Sequence, residues 1–369
     1  MSLLSHYRPA QTRVLRLGAL VALLTALGCS SASDDAFVAE GGQDTADADP
    51  WGDPAAGAGD DSGGGDEGGS TGGDRDDAGE DSGGEPEPLP PSDDDGTFAG
   101  CPQPLPGSWV FCEDFETTVD PNEVMLDYQG LDGAFVLVDE TGASGTHSMQ
   151  VTYREGEEAA GWMVLSFGAS PIEYGDRPTY APDGSFREVY WRVRTKTEPG
   201  WPDVGPGRLT RTVAFADADW SEAVVGHLQS AGDAVVLQGV PSTCVAGAEV
   251  ACTGFDDAGL ENLDEMIGEA PLFSSEESGR WHCVEGRMRL NEIGAADGVF
   301  EYWVDDELQA SRTNLDLRGD WDEYGINAVV VENLWPGGAP GPLRRWIDDL
   351  VVSTEPIGCR PGPAGATPN

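Results

Sequence analysis

The sequence predicts an all-β fold, two packed antiparallel sheets preceded by a disordered tether, and three observations carry that expectation. Beyond residue 100, apolar runs recur and each is closed by Gly, Pro or Asp clusters. Several runs alternate polar and apolar side chains, the period of a strand with one buried face. A helical period is confined to 259–267 (GLENLDEMI), where one or two turns are expected.

The expected strands, in chain order, are 109–115, 134–138, 148–153, 161–167, 187–196, 208–216, 223–229, 234–238, 281–291, 299–304, 326–332 and 346–353. Two are unusually legible. In 188–195 (EVYWRVRT), Tyr190, Arg192 and Arg194 share one face, and Val189, Trp191 and Val193 share the other. In 281–291 (WHCVEGRMRLN), Cys283, Glu285, Arg287 and Arg289 lie opposite Val284, Met288 and Leu290. About a dozen strands with almost no helix argue for a sandwich.

The first 28 residues read as an export signal. Arg8, Arg13 and Arg16 precede the apolar run LGALVALLTAL, which is too short to span a bilayer. The run ends in Ala26-Leu27-Gly28-Cys29, which resembles the lipobox of bacterial lipoproteins. That resemblance implies lipidation of Cys29 and, with Ser30 instead of Asp after it, an outer-membrane or cell-surface protein of a Gram-negative bacterium. Residues 29–98 form an acidic Gly/Asp-rich linker with little to bury, expected to be disordered and extended by its own charge. Its stretch DRDDAGEDSGGE faintly echoes a calcium loop, but Ala78 occupies a ligand position. The folded domain is placed at 99–360, and 361–369 as a disordered tail.

Seven cysteines leave six once Cys29 is set aside: Cys101, Cys112, Cys244, Cys252, Cys283 and Cys359. None has metal-finger spacing, so they read as disulfides of an exported domain. Cys244 and Cys252 bracket a short loop and pair; the other four leave three connectivities open. Net charge is −47, and no basic face offsets it, which excludes nucleic acid as a partner. The membrane is reached only through the lipid.

The segment GRWHCVEGRMRLNEIGAADGVFEYWVDDEL resembles the central hairpin of concanavalin A-like jelly-roll domains. REVYWRVRTKTEPGWPDVGPGRLTRT resembles the equivalent region of jelly-roll polysaccharide lyases, with Arg208 where those enzymes often carry Lys. RWIDDLVVS resembles the closing strand. The resemblance implies a jelly-roll sandwich and a polysaccharide or other glycan as partner. A sheet face bearing Tyr190, Arg192, Arg194, Glu285 and Arg287, joined by His227, is the expected carbohydrate-binding or catalytic site. The leading expectation is glycan binding. The first alternative is β-elimination of a uronate-containing glycan, with Arg192 or Arg287 neutralising the carboxylate and Tyr190 or His227 as base. The second alternative is a protein-binding adhesion module. Neither a two-carboxylate glycosidase pattern nor a Gly-x-Ser-x-Gly nucleophile is present. The resemblance also implies a structural calcium held by Asp114, Glu116 and Asp349. Trp201, Trp220, Trp321 and Trp335, in loop contexts, are candidates for stacking on sugar rings.

Overall fold

A computed structural model describes residues 100–359, apart from 140, 256 and 258. The signal segment, Cys29, the acidic linker and the tail fall outside the described residues. Among the described residues, eighteen strands are formed. The first nine are β1 (Trp109–Glu113), β2 (Asp127–Gln129), β3 (Phe135–Val138), β4 (Ser148–Tyr153), β5 (Ala159–Ser166), β6 (Glu188–Thr197), β7 (Arg208–Phe215), β8 (Glu222–Ser230) and β9 (Leu237–Thr243). The rest are β10 (Val245–Ala246), β11 (Glu249–Val250), β12 (Glu261–Asn262), β13 (Met266–Ile267), β14 (His282–Arg289), β15 (Gly298–Val304), β16 (Glu307–Leu315), β17 (Ala328–Leu334) and β18 (Leu343–Ser353).

Two eight-stranded antiparallel sheets make a jelly-roll sandwich. The first runs β16-β15-β14-β6-β18-β4-β3, with β1 on the remaining part of β18; the second runs β12-β9-β8-β7-β17-β5-β2, with β13 on β9. The large side chains predicted to face inward do so. Trp191, Val193, Val284, Met288, Phe300 and Tyr302 from the first sheet meet Leu209, Val224 and Leu228 from the second. Gly226 and Gly239 of the second sheet leave room for the Phe300 ring, which a Cβ at those positions would approach to 2.4 Å and 2.6 Å. Trp191 also donates its indole N–H to Thr210 Oγ1 at 3.0 Å, so this polar atom between the sheets is paired.

Arg345 is fully buried among these side chains and ties the sheets together. From β18 it donates to the backbone carbonyls of Arg208 (3.1 Å) and Glu332 (3.0 Å) and to Asn333 Oδ1 (2.7 Å). Burial lowers its pKa. Among the described residues, three disulfides form, Cys101–Cys112, Cys244–Cys252 and Cys283–Cys359, which resolves the open connectivity.

Three expectations need correction. Residues 259–267 are not helical: β12 and β13 lie there, paired with Thr243–Ser242 and Gly239–Gln238 of β9. The backbone bonds offered along β9 outweigh a weak local helical preference. The strand expected at 234–238 lies instead at Leu237–Thr243. Finally, β16 is an additional strand. Its pattern is exposed over nearly its whole length, so an edge strand gave no burial alternation to read.

Candidate functional site

The first sheet confirms the expected parity but not the expected site. Glu285 lies opposite Arg192 and Arg287 opposite Tyr190. Residues 357–359, however, lie across this face. The Ile357 and Gly358 amides donate to Glu285 at 3.0 Å and 2.8 Å, and Arg192 donates to Gly358 O at 2.9 Å. Arg194 donates to Cys359 O and its Nε lies 3.2 Å from Asp349 Oδ2. The Cys283–Cys359 disulfide anchors the strap. Arg287 is held by Glu188 (2.7 Å) and Glu301 (2.6 Å), above the Tyr190 ring. Burial pushes Tyr190 up to about 12, which favours its neutral phenol, and Arg192 down to about 10. This face is internally satisfied structure.

His227 does not join it. It stands on β8, on the outer face of the second sheet, so the expected constellation is divided between the two sides of the sandwich.

Of the expected calcium ligands, Asp114 and Asp349 come together. A Cβ at Gly100 would meet Asp114 Oδ2 at 2.3 Å and Ser144 Oγ at 2.9 Å, and Ser144 donates to Asp349 Oδ1 at 2.7 Å. Glu116 instead accepts from the Thr146 and His147 amides (2.8 Å and 2.7 Å). Burial raises both Asp349 and its neighbour Asp348, the latter to about 8, and their mutual repulsion adds to the rise in Asp348. Two carboxylates and a hydroxyl, with Arg194 already against Asp349, meet only in part the six to eight oxygens that calcium takes. Among the described residues, no group of three or more His, Cys, Asp or Glu is spaced to hold a metal ion.

The outer face of the second sheet holds a different cluster. Arg208 and Arg211 of β7, His227 of β8 and Glu332 of β17 converge there. Arg208 pairs with Asp257 and lies 3.4 Å from Glu332; Arg211 lies 3.3 Å from Glu332, 3.2 Å from Asp257 and 3.0 Å from Glu222. His227 Nε2 is 3.5 Å from Asp257, and Nδ1 is 3.7 Å from Glu332. Three carboxylates thus surround two guanidiniums and one imidazole. Burial drives His227 down to about 4, so the imidazole is neutral near neutral pH. Burial alone would raise Glu332, but Arg211 and Arg208 outweigh it and hold the carboxyl near 2.

A row of half-buried polar side chains borders the cluster. Trp162 lies opposite Glu332, and Gln229, two residues beyond His227, lies opposite Gln238. Gln229 also lines a cavity of about 110 Å³ with Ser230, Asp233, Trp335 and Pro336. A larger cavity of about 750 Å³ on the first sheet is bordered by His147, Gln150, Arg344 and Trp346. There His147 is engaged by Glu116, Arg344 by Glu198, and the Trp346 ring is flanked by Lys196 and Arg344.

Sequence reasoning missed Arg211, Glu222, Asp257 and Glu332. Strict alternation puts Arg208 and Arg211 on opposite faces. A register shift between Arg208 and Thr210 brings both to the outer one. The aromatic expectation also divides: Trp201, Trp321 and Trp335 are buried in the core, whereas Trp220 is half-buried on the outer face of the second sheet.

No protein-family model matches the chain, and no curated protein does. Solved structures that align with it include an endo-β-1,4-glucuronan lyase from the fungus Trichoderma reesei (14% identity, 67% of this chain and 96% of that chain, TM-score 0.44). Another is an alginate lyase from Aplysia kurodai (11% identity, 67% and 100%, TM-score 0.46). A third is an alginate lyase from Chlorella virus (9% identity, 67% and 100%, TM-score 0.45). At these identities and scores, each name describes the aligned protein alone.

Proposed function

We propose that this chain is a glycan-binding protein of the cell surface, and that it binds through the outer face of the second sheet. The observation that carries the reading is the row Trp162, Arg208, Gln229 and Gln238, half-buried around Glu332 and His227. Such a strip offers donors, acceptors and an aromatic face at fixed spacing, which is what a hydroxyl-rich ligand requires. The carboxylates around Arg208 and Arg211 already offset the guanidinium charge, so the strip suits a neutral or sparsely charged sugar better than a dense polyanion.

Lyase activity is the second reading, favoured by one observation: His227 and the guanidinium of Arg211 meet the same two carboxylates, Asp257 and Glu332, so an imidazole and a cation stand together on one sheet face. Anchoring through a lipidated Cys29 at the outer membrane belongs to the same proposal. The other six cysteines are consumed in disulfides, which leaves Cys29 as the odd one. Among the described residues, no helix is long and apolar enough to cross a membrane. A structural calcium at Asp114 and Asp349 remains a proposal, requiring displacement of Arg194 from Asp349.

A glycan array probed with the purified protein, followed by an ultraviolet assay for unsaturated uronates, tests the reading. Glycan binding without product is the expected result. Unsaturated product would establish the lyase alternative, and no glycan binding would leave the protein-adhesion alternative.

A further inference from the structure

Trp220 sits in a backbone conformation that its side chain disfavours. Its φ is +65°, in the left-handed region where Cβ crowds the following carbonyl and which hairpin turns normally give to Gly or Asn. The conformation is held locally. Residues 216–221 join β7 to β8; the Ala216 amide donates to Ser221 O at 2.8 Å. Asp217 Oδ1 accepts from the Asp219 and Ser221 amides at 2.9 Å and 3.1 Å. Strain in a bulky residue, sustained by a built turn, marks a side chain retained for something other than the turn.

The surroundings indicate what that is. Phe215, Phe255 and Tyr174 meet the Trp220 ring at centroid distances of 5.4, 5.6 and 6.1 Å and interplanar angles of 76°, 64° and 84°. None lies parallel to it. Tyr174 beside it is 46% exposed. On its other flank, Phe255 packs against Arg211, whose Cζ is 4.1 Å from the ring centroid. Phe255 therefore joins the aromatic patch to the polar cluster on the second sheet.

We infer that Trp220, with Tyr174 beside it, is a stacking subsite for one pyranose ring of the bound glycan. The inference rests on the glycan-binding reading above and assigns to it a specific contact. The C–H-bearing face of a pyranose is apolar and weakly positive, which matches the electron-rich face of an indole. An indole that Phe215, Phe255 and Tyr174 all meet at steep angles, beside hydrogen-bonding groups, suits a sugar with one apolar face and a rim of hydroxyls.

The test is calorimetric titration of the full-length protein with cellotetraose and with tetragalacturonate, combined with melting temperatures. Trp220→Ala and Tyr174→Ala are compared with Trp220→Phe, which keeps an aromatic ring and its packing, and with Arg208→Ala. The expected result is at least a tenfold loss of affinity in Trp220→Ala, a smaller loss in Tyr174→Ala and partial retention in Trp220→Phe, with folding intact in Tyr174→Ala and Trp220→Phe. Should the parent bind and Arg208→Ala weaken it while Trp220→Phe and Tyr174→Ala bind as the parent does, the stacking assignment is overturned and the glycan-binding reading stands. Should the parent bind neither sugar, that reading fails and the subsite with it.

Discussion

His227 and Glu332 set the acid response of the second-sheet cluster. His227 titrates near 4 in the fold against 6.5 in the unfolded chain, so the unfolded chain takes up its proton first. Stability therefore falls as pH drops from 6.5 toward 4, by up to about 3 kcal/mol. Glu332 titrates near 2 against 4.5, contributing stability above 4.5 that is lost as pH falls toward 2. Melting temperatures measured from neutrality to about pH 3 are expected to show both declines, and His227→Gln to remove only the first. If the decline above pH 4 persists in that variant, another group is responsible. The two arginines are expected to separate in a different way. Arg211 is fully buried between Glu222 and Glu332, and Arg211→Ala takes the guanidinium away from Glu222 and leaves Glu332 with Arg208 alone, a loss of roughly 3–5 kcal/mol in denaturant titration. Arg208 is 12% exposed, so Arg208→Ala is expected to reduce glycan affinity with a smaller loss of stability.

Elements whose two faces differ were legible, and those defined by tertiary pairing were not. β6 and β14 declared their faces because each alternates large apolar with charged side chains, and the register of Glu285 with Arg192 follows that parity. β16 is exposed on both faces and β2 is three residues long, so neither left an alternation to find. The site was obscured by similar local facts. A bulge in β7 changed the facing of Arg208, and His227 was readable as a polar-face histidine without indicating which sheet it joined. The strap over Arg192 was beyond reach, since it depends on a residue 166 positions away. It also makes an expectation at this scale. Joint replacement of Cys283 and Cys359 by Ser opens a loop of 76 residues, with a loss of roughly 4 kcal/mol. Hydrogen exchange at the Ile357 and Gly358 amides should accelerate in that variant, and protection equal to the parent would show that Glu285 holds the strap unaided.

For the whole molecule, the proposal of an exported chain anchored at Cys29 carries two expectations. Limited proteolysis should leave a resistant fragment beginning near residue 100, and a stable cut within 180–260 would count against one sandwich. Metabolic labelling with a radioactive fatty acid is expected to mark the parent and not Cys29→Ser; equal labelling of both would remove the lipoprotein assignment.

The Cys101–Cys112 disulfide acquires a mechanical meaning in that setting. Under the proposal that the chain is anchored through Cys29 and binds a glycan, the domain would be under tension from its N-terminal side. At Cys101 the load passes through sulfur directly to Cys112, which lies opposite Val351 within the β1–β18 pairing. Trp109 and Phe111, opposite Ser353 and Val352, are thereby left out of the line of force. A pull applied at Cys101 therefore would not peel β1 from its first residue; it would shear the strand at Cys112 against β18, while the covalent shortcut holds the end slack.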